Sequence, residues 1–300
     1  MKIGIFGGDT AGRTIDDVVA DAREAEADGF ASYALPQIFA LDAMGVLAIV
    51  GREVPRITLQ TGVVPTYGRH PLTMAQQALT VQAASDGRFV LGIGLSHQLV
   101  IEGMFGLSFD KPVRHMREYL SVLMPLLNEG KASFKGETIS TEASISIEPR
   151  IPPKVLVAAL GEQMLKLAGT MTDGTVTWMT GPATLGKHTI PIITAAAKAA
   201  GRPAPEIATS LPVSVTNDID ASRQRAAKDF QVYGFLPSYR AMLDREGAEG
   251  PADVAIVGDE ATVEKQVRAL ADVGVTEFVA SIYGSREERA TTRALLKSMV

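Results

Sequence analysis

The chain has 300 residues, of which 46% are hydrophobic and 21% charged, and its formal net charge is −5. The acidic balance provides no basic footprint for nucleic acid, and the absence of cysteine excludes disulfides, thiolate metal sites and cysteine nucleophiles. No apolar run approaches the roughly 20 residues of a membrane span, and the first residues lack the apolar core of a signal peptide. We therefore predict a cytoplasmic protein that binds neither nucleic acid nor membrane.

Strand-like and helix-like segments alternate along almost the whole chain. Eight short apolar segments predict strands, at residues 3–6, 32–35, 57–63, 89–93, 155–158, 175–177, 207–215 and 277–282. Helical segments follow them, such as 14–28 with a capping box at Thr14 and Asp17 and 71–84 with proline in its first turn. The alternation predicts an α/β fold, a single (β/α)8 TIM barrel over residues 1–300. A doubly wound open sheet is disfavoured because no Gly-x-Gly-x-x-Gly follows the first strand.

Two segments interrupt the alternation. Residues 131–149 follow the fourth barrel helix, predicted at 114–127, and indicate a β-hairpin insertion with strands near 134–138 and 145–147. Residues 237–253 precede the eighth strand, and their polar character predicts an irregular insertion there.

The segment from Ser85 to His97 is the most informative of the chain. Asp86 and Gly87 predict a turn, and the unbroken apolar run 89–93 predicts a strand buried on both faces. Gly92 and Gly94 mark positions where backbone or ligand comes close. Ser96 and His97 then fall at the C-terminal end of the strand, where parallel barrels bind their ligands.

Few groups at the predicted strand ends can act as acids, bases or nucleophiles. Asp9, His97 and Glu162 are the titratable residues there, which argues against triad or paired-carboxylate hydrolysis and favours chemistry carried by an organic cofactor. None of the four histidines is spaced from another as metal ligands are, so no metal site is predicted.

Two glycine-marked strand ends could hold a phosphate. Leu160 and Gly161 join a strand to a helix that begins near Glu162, and the free N–H groups at a helix start attract anions. Thr180 and Gly181 form a second flexible strand end. The only tryptophan, Trp178, either packs outside the sixth strand or lines the pocket, and the sequence leaves both alternatives open. His70 is interpreted as a helix cap.

On these residues the chain resembles the bacterial luciferase-like flavin and deazaflavin oxidoreductases, most of all the actinobacterial branch that uses coenzyme F-420. The segments that carry the resemblance are Thr61–Pro65, Arg69–Pro71, Gly87–Gly94, Ala158–Gly161, Leu167–Gly169, Val257–Val263 and Gly274–Phe278. They are spread over nearly the whole length of the chain.

The resemblance implies that the deazaflavin ring binds at the barrel mouth beside Leu95, Ser96 and His97. Gly62 and Val63 fall where the family has a bulge behind the ring, commonly with a non-proline cis peptide. Backbone N–H groups of 159–161 would face the coenzyme phosphate. The coenzyme-binding residues predicted in this way are Gln37, Thr61, Gly62, Val63, Val64, Leu95, Ser96, His97, Ala159, Leu160, Gly161, Glu162, Thr180 and Gly181.

Two departures from the family pattern bear on the substrate. Sugar-phosphate-oxidising members have a histidine after the second strand and a glutamate after the fourth, where this chain has Gln37 and His97. We therefore expect hydride transfer to or from another small organic molecule, an activated alkene, imine, carbonyl or alcohol, with His97 as the catalytic acid or base.

Two alternatives remain open. One is a flavin mononucleotide (FMN)-dependent monooxygenase that reacts with oxygen and receives reduced flavin from a separate reductase. The other is a non-catalytic flavin-binding protein. Since members of the family are commonly dimers, the resemblance also implies a homodimer.

Overall fold

The computed structural model describes residues 1–147 and 151–300. Its strands are β1 (Lys2–Phe6), β2 (Ser32–Leu35), β3 (Thr58–Thr61), β4 (Val64–Pro65), β5 (Phe89–Gly94), β6 (Lys131–Lys135), β7 (Ser140–Ser144), β8 (Lys154–Val157), β9 (Gly174–Trp178), β10 (Glu206–Ser210), β11 (Pro212–Val215), β12 (Ile256–Gly258) and β13 (Glu277–Ile282). Its α-helices are α1 (Ile15–Ala27), α2 (Ala43–Glu53), α3 (Pro71–Ala84), α4 (Gln98–Gly103), α5 (Pro112–Glu129), α6 (Glu162–Met171), α7 (Pro182–Thr184), α8 (Ile190–Ala199), α9 (Ile219–Asp229), α10 (Pro237–Glu246), α11 (Glu260–Asp272) and α12 (Arg286–Ser298).

Eight of these strands close into a parallel barrel. Its order is β1, β2, β3, β5, β8, β9, β10 and β13, and β13 pairs with β1 to complete the circle. In this last pair Lys2 lies opposite Glu277 and Ile5 opposite Ala280. The (β/α)8 barrel predicted from the alternation is confirmed, and each of the eight predicted segments contains a barrel strand. The strand predicted at 207–215 is divided into β10 and β11, and the one predicted at 57–63 ends at Thr61.

Alternate residues of the barrel strands face the helices and the lumen. In β5, Leu91 and Ile93 pack in the main core between sheet and helices, whereas Val90 packs in the lumen against Leu156 and Val176. Because both faces are covered, the strand is apolar throughout, as expected for a parallel sheet. The polar strand ends are thereby left at the rim.

The predicted hairpin insertion is present, but both of its strands lie earlier than predicted, since β6 covers Lys131–Lys135 rather than 134–138. Antiparallel β6 and β7 pair with Lys131 opposite Ser144 and Phe134 opposite Thr141. The second strand therefore lies before the predicted 145–147, and residues 148–149 of the predicted insertion are outside the described part of the chain.

The insertion before the eighth strand has more regular structure than its composition predicts. It contains α10 and a 3-10 turn at Pro251–Val254. Only Met242 and Leu243 of α10 are buried, so the helix has a narrow apolar stripe among polar residues. Such a stripe is too weak a periodic signal to predict the helix from sequence.

Other helices differ mainly at their ends. The helix predicted at 187–200 begins earlier, at α7, and reaches α8 through a π-helical turn at Leu185–Thr189. The short α4 after β5 was not predicted. Among the described residues, no helix combines the length and hydropathy that crossing a membrane requires.

Candidate active site at the barrel mouth

A bulge interrupts the third barrel strand at its C-terminal end. The peptide bond between Gly62 and Val63 is cis, as the family resemblance implies. The Gly62 N–H donates to the Leu35 carbonyl at 2.8 Å, and the Gln37 N–H donates to the Val63 carbonyl at 3.3 Å. The bulge is thus tied to the end of β2 and lies half-buried at the barrel mouth.

Two glycines of β5 make room for this bulge. A Cβ atom on Gly92 would collide with the Thr61 carbonyl, and one on Gly94 would lie 2.8 Å from a methyl group of Val63. The Thr61 hydroxyl donates to the Gly92 carbonyl and accepts from the Gly92 N–H, both at 2.8 Å. The close approach of backbone predicted at Gly92 is therefore confirmed, whereas at Gly94 the side chain of Val63 comes close.

Beyond Gly94 the chain turns sharply into the histidine. Ser96 has a φ of 60°, in the left-handed region that non-glycine residues rarely adopt. His97 is the N-cap of α4 but makes no capping hydrogen bond with its side chain. Burial lowers the pKa of His97 from its usual 6.5, since removal of water disfavours the charged imidazolium. A neutral imidazole at the mouth can accept a proton.

Four aromatic side chains, here called the aromatic arc, extend from the bulge to His97. They are Phe6, Trp178, Tyr233 and Tyr239. Successive ring centroids lie 5.9, 5.7 and 5.1 Å apart, and the Tyr239 ring lies 5.7 Å from the His97 ring. At the other end, a Cβ on Gly62 would lie 3.2 Å from the Phe6 ring. Bulge, arc and His97 together border the mouth.

The arc settles the position of the tryptophan. Val176, two residues before Trp178 on β9, packs in the lumen, and residues two apart on a strand share a face. Trp178 therefore lines the mouth rather than the outside of the sixth strand. Tyr233 lies in the 3-10 turn at Gln231–Gly234, and Tyr239 lies on α10 of the insertion before strand eight. The sequence provided no signal for the role of either tyrosine.

The helix start at Gly161 has the properties of an anion site. Gly161 is the N-cap of the ten-residue α6 and provides no side-chain cap, so the first N–H groups of the helix have no side-chain acceptor there. Gly161 is exposed, and a Cβ there would meet no atom within 4 Å. The residues therefore fit a phosphate group, which could approach the backbone closely.

Charges near this helix start are mixed. Lys166 hydrogen-bonds Glu162 and lowers its pKa, and the charges of His188 and Arg245 act in the same direction. A phosphate at Gly161 would experience the Glu162 carboxylate as well as the cationic side chains of Lys166 and Arg245. For Glu162, the backbone N–H is therefore the group suited to coenzyme binding, and the carboxylate is not.

The second predicted strand end, at Gly181, is already filled. The Glu246 carboxylate of α10 accepts from the Ala183 N–H at 3.0 Å and the Thr184 N–H at 2.7 Å. Both Thr180 and Gly181 are buried. The donors next to Gly181 therefore bind an internal carboxylate, and Gly161 remains the more accessible of the two predicted strand ends.

Several other predicted residues are too buried to offer their side chains to a ligand. Thr61, Val64, Ala159 and Thr180 are 0% exposed, so they form the layer beneath the residues at the mouth. Gln37 is half-buried, and its side-chain oxygen accepts from the Ala43 N–H at 2.8 Å at the start of α2. This side chain acts as a helix cap.

One buried histidine was missed by the sequence reasoning. His188 lies in the π-helical turn, and its Nε2 is 2.9 Å from the carbonyl oxygen of Leu160. π-Helical turns often occur at functional sites. The contact joins the start of α8 to the loop before Gly161, so His188 helps to set the conformation of the predicted phosphate site.

The remaining histidines are structural. His70 is the N-cap of α3, and its Nδ1 accepts from the Leu72 N–H at 3.2 Å, which confirms the capping interpretation. His115 stacks on Tyr67 with centroids 4.0 Å apart. In residues 1–147 and 151–300, no group of three or more histidine, aspartate or glutamate side chains is arranged to hold a metal ion.

Comparison with known proteins places this barrel in a family. Residues 1–290 match the family described as "Luciferase-like monooxygenase". The match covers nearly the whole chain, and the chain belongs to this family.

Similar proteins include several named for coenzyme F-420. An F420-dependent glucose-6-phosphate dehydrogenase of Nakamurella multipartita is 29% identical over 228 residues, which cover 73% of this chain and 65% of that protein. The protein Rv1360 of Mycobacterium tuberculosis, described as uncharacterized, is 26% identical over 278 residues. The alignment covers 83% of this chain and 80% of that protein.

Among solved structures, the coenzyme F420-dependent tetrahydromethanopterin reductase from Methanopyrus kandleri superposes with a TM-score of 0.82. It is 22% identical, and the alignment covers 100% of this chain and 98% of that one. At this identity the similarity establishes a shared fold.

Proposed function

We propose that this protein is an F-420-dependent oxidoreductase that transfers hydride to or from a small organic substrate at the barrel mouth. The observation that carries the proposal is the uncapped, exposed helix start at Gly161, at the same end of the barrel as the bulge at Gly62 and Val63. Together they offer a phosphate site and a surface for a flat ring. The F420-dependent names of relatives and of a structural neighbour support the choice of coenzyme.

Different parts of the chain would hold different parts of the coenzyme. Backbone N–H groups of Glu162 and Gln163 would bind its phosphate, and Gly62, Val63 and Leu95 would contact its ring. When bound, F-420 supplies or accepts a hydride, which carries two electrons. The protein contributes position, exclusion of water and proton transfer.

His97 would move the proton. If the substrate is an alcohol, His97 Nδ1 or Nε2 would accept the hydroxyl proton, the bound coenzyme would supply the hydride acceptor, and the alcohol would become a carbonyl. In the reverse direction the imidazolium returns that proton to the oxygen. Because burial lowers the pKa of His97, the neutral base predominates at pH 7.

The mouth does not favour oxidation of a sugar phosphate. The side chain of Gln37, at the position of the family's histidine, caps α2, and His97 stands where those members have a glutamate. We therefore propose a substrate other than glucose 6-phosphate.

A paired titration with F-420 and FMN tests the proposal. We expect F-420 fluorescence to change saturably on addition of protein, with weaker binding of FMN. Gly161→Ala places a methyl group in the phosphate approach and should weaken F-420 binding about tenfold or more. Gly250→Ala is the matched control, because a Cβ there also meets no atom within 4 Å.

Other results would replace the proposal. Preference for FMN, with oxygen consumption in the presence of reduced flavin, would indicate a two-component monooxygenase that needs a reductase. Tight F-420 binding without turnover on alcohols, carbonyls, imines and activated alkenes would indicate a non-catalytic binding protein.

A further inference from the structure

We infer that the substrate is a neutral molecule with a flat apolar body, bound against the aromatic arc. This inference deepens the proposed function and rests on it, since it names the substrate class of the same site. It is carried by the arc, by the engagement of Arg13, Arg69 and Arg240 in contacts away from the arc, and by the apolar side chains beyond it.

The arc consists mainly of ring faces and edges, and its polar atoms are the hydroxyls of Tyr233 and Tyr239 and the indole N–H of Trp178, which has no hydrogen-bond partner among the described residues. Phe6 and Trp178 are stacked with an interplanar angle of 17°, and Tyr233 meets Trp178 edge-on at 76°. Both Phe6 and Trp178 are half-buried, so part of each ring remains accessible. Surfaces of this kind bind planar apolar groups through burial and ring contacts.

Three arginines on or beside the elements that form the mouth are engaged in other contacts, and Arg245 of α10 acts on Glu162 at the start of α6. Arg13 donates to the Gly7 carbonyl at 2.7 Å and pairs with Asp21 at 3.1 Å. Arg69 pairs with Asp42 at 2.5 Å.

The third such arginine, Arg240, is adjacent to Tyr239 on α10. It pairs with Asp244 at 2.8 Å and donates to the carbonyls of Ala248 and Glu249. A phosphate or carboxylate on the substrate would need one of these groups to break its present contacts.

Within the described chain, the one charged side chain that acts on the tyrosines of the arc, Asp9, is negative and would repel an anionic substrate. Burial raises the pKa of Tyr233, and the negative charge of Asp9 raises it further, opposed by Trp178. Burial and Tyr233 raise the pKa of Tyr239, and burial alone accounts for the lowered pKa of His97. Asp9 would repel a second negative charge, whereas a neutral molecule meets no such penalty.

Exposed apolar side chains continue the surface outward after β5. Leu99 is 78% exposed, Met104 62% and Phe105 48%. The Phe105 ring lies close to the loop after β4: a Cβ atom added to Gly68 in that loop would be 3.3 Å from the ring. Such clusters commonly border ligand sites, and here they would cover a substrate that extends beyond the arc.

The only tryptophan of the chain makes the inference testable without coenzyme. Trp178 fluorescence is followed while the coenzyme-free protein is titrated with tetralone, a neutral bicyclic ketone, and with glucose 6-phosphate. We expect a saturable change with tetralone and none with glucose 6-phosphate at equal concentration. Saturable binding of glucose 6-phosphate at equal or higher affinity, or no saturable response to tetralone, would overturn the inference.

Variants show whether the arc is the surface involved. Tyr233→Leu removes a ring from the arc and should weaken tetralone binding about three- to tenfold, as expected for loss of an aromatic contact. Phe235→Leu is the matched control, since Phe235 lies in the same segment, is 82% exposed and should leave binding unchanged. If Tyr233→Leu does not fold, Phe6→Leu tests the same claim. Equal tetralone binding by the folded arc variant and by Phe235→Leu would contradict the claim that the arc binds the substrate.

The two proposals can fail separately. F-420 binding with turnover on a phosphorylated or carboxylated substrate, but not on neutral ketones, would refute the substrate class and retain the proposed function. Absence of F-420 binding would refute the proposed function and with it the assignment of tetralone as a hydride acceptor, whatever the fluorescence titration shows.

Discussion

At His97, local burial determines the charge of the side chain expected to move the proton. Ser96 holds the preceding backbone in a left-handed conformation, and the Tyr239 ring lies against the imidazole. No charged side chain of the described residues contributes to the pKa shift of His97, which burial alone explains. The site therefore contains a base that is uncharged at neutral pH.

Replacement of His97 tests its role directly. His97→Asn should reduce kcat for F-420-dependent alcohol oxidation by about 10²–10⁴-fold, the usual contribution of a general base, with F-420 affinity little changed. His70→Asn is the matched control, because asparagine is also a good N-cap. Steady-state kinetics and coenzyme titrations on both variants provide the measurement; full activity in His97→Asn would refute the catalytic role.

The pH dependence follows from the lowered pKa of His97. Because the neutral form accepts the proton and the pKa is lowered, the acidic limb of kcat/KM for alcohol oxidation should have its midpoint below pH 6.5. The declining limb should vanish in His97→Asn. An acidic limb with its midpoint above pH 6.5, or one that persists in the variant, would assign the titration to another group.

At the scale of elements, single carboxylates dock the two insertions onto the barrel. Glu118 of α5 accepts from the N–H groups of Glu137, Thr138 and Ile139 in the hairpin. Burial would raise the pKa of Glu118, but these hydrogen bonds outweigh it and lower the pKa from 4.5 to about 2. Glu246 of α10 likewise accepts two N–H groups at the start of α7.

Neutralising Glu118 should therefore weaken the hairpin attachment. Glu118→Gln is expected to lower the free energy of unfolding by about 1–3 kcal/mol at pH 7, because hydrogen bonds to a charged acceptor are lost. Since the folded-state pKa is depressed, this stabilisation is present above pH 4.5 and disappears as pH falls toward 2. Denaturant unfolding at several pH values, with exposed Glu129→Gln as control, measures it; a difference that does not shrink in acid would contradict the cause.

The Glu246 contact requires glycine at position 181. A Cβ there would collide with the Glu246 carboxylate, so Gly181→Ala should expel it from its two donors and lower the free energy of unfolding by roughly 1–3 kcal/mol. Gly250→Ala should be close to neutral in the same thermal or denaturant unfolding experiment. Equal stability of the two variants would show that the carboxylate can move without cost.

For the whole molecule, barrel closure joins the two ends of the sequence. The pairing of β1 with β13 places Lys2 beside Glu277, and one core runs between the sheet and the helices. We therefore retain the proposal of a single domain. The family resemblance also implies a homodimer, and light scattering of the purified protein tests this by measuring its mass in solution.

Calorimetry tests both the single domain and the coenzyme. We expect one cooperative transition, since closure makes the first and last strands mutually dependent. F-420 at a hundredfold excess over its Kd should stabilise the protein by about 2.7 kcal/mol, a shift of roughly 5 °C. Two separated transitions would refute the single domain, and a larger shift with FMN than with F-420 would refute the coenzyme assignment.

The sequence by itself determined the barrel and the part of the site that lies on strand ends. Strand and helix formation depend on apolar periodicity, caps and turns within short windows, so β5 and α3 could be predicted closely. The same local logic located His97 and Gly161, because a residue after a parallel strand falls at the mouth whatever its neighbours are. Gly92 was located by the rule that a glycine within a strand marks close approach of backbone.

Only the tertiary structure decided which side chains meet there. Tyr239 lies against His97, and Glu246 fills the donors beside Gly181, through contacts between segments far apart in the chain. Side-chain neighbours of this kind depend on how loops cross the barrel end, and no local pattern encodes that path. The position of Trp178, the occupied strand end and the neutral surroundings of His97 are therefore properties of the folded barrel.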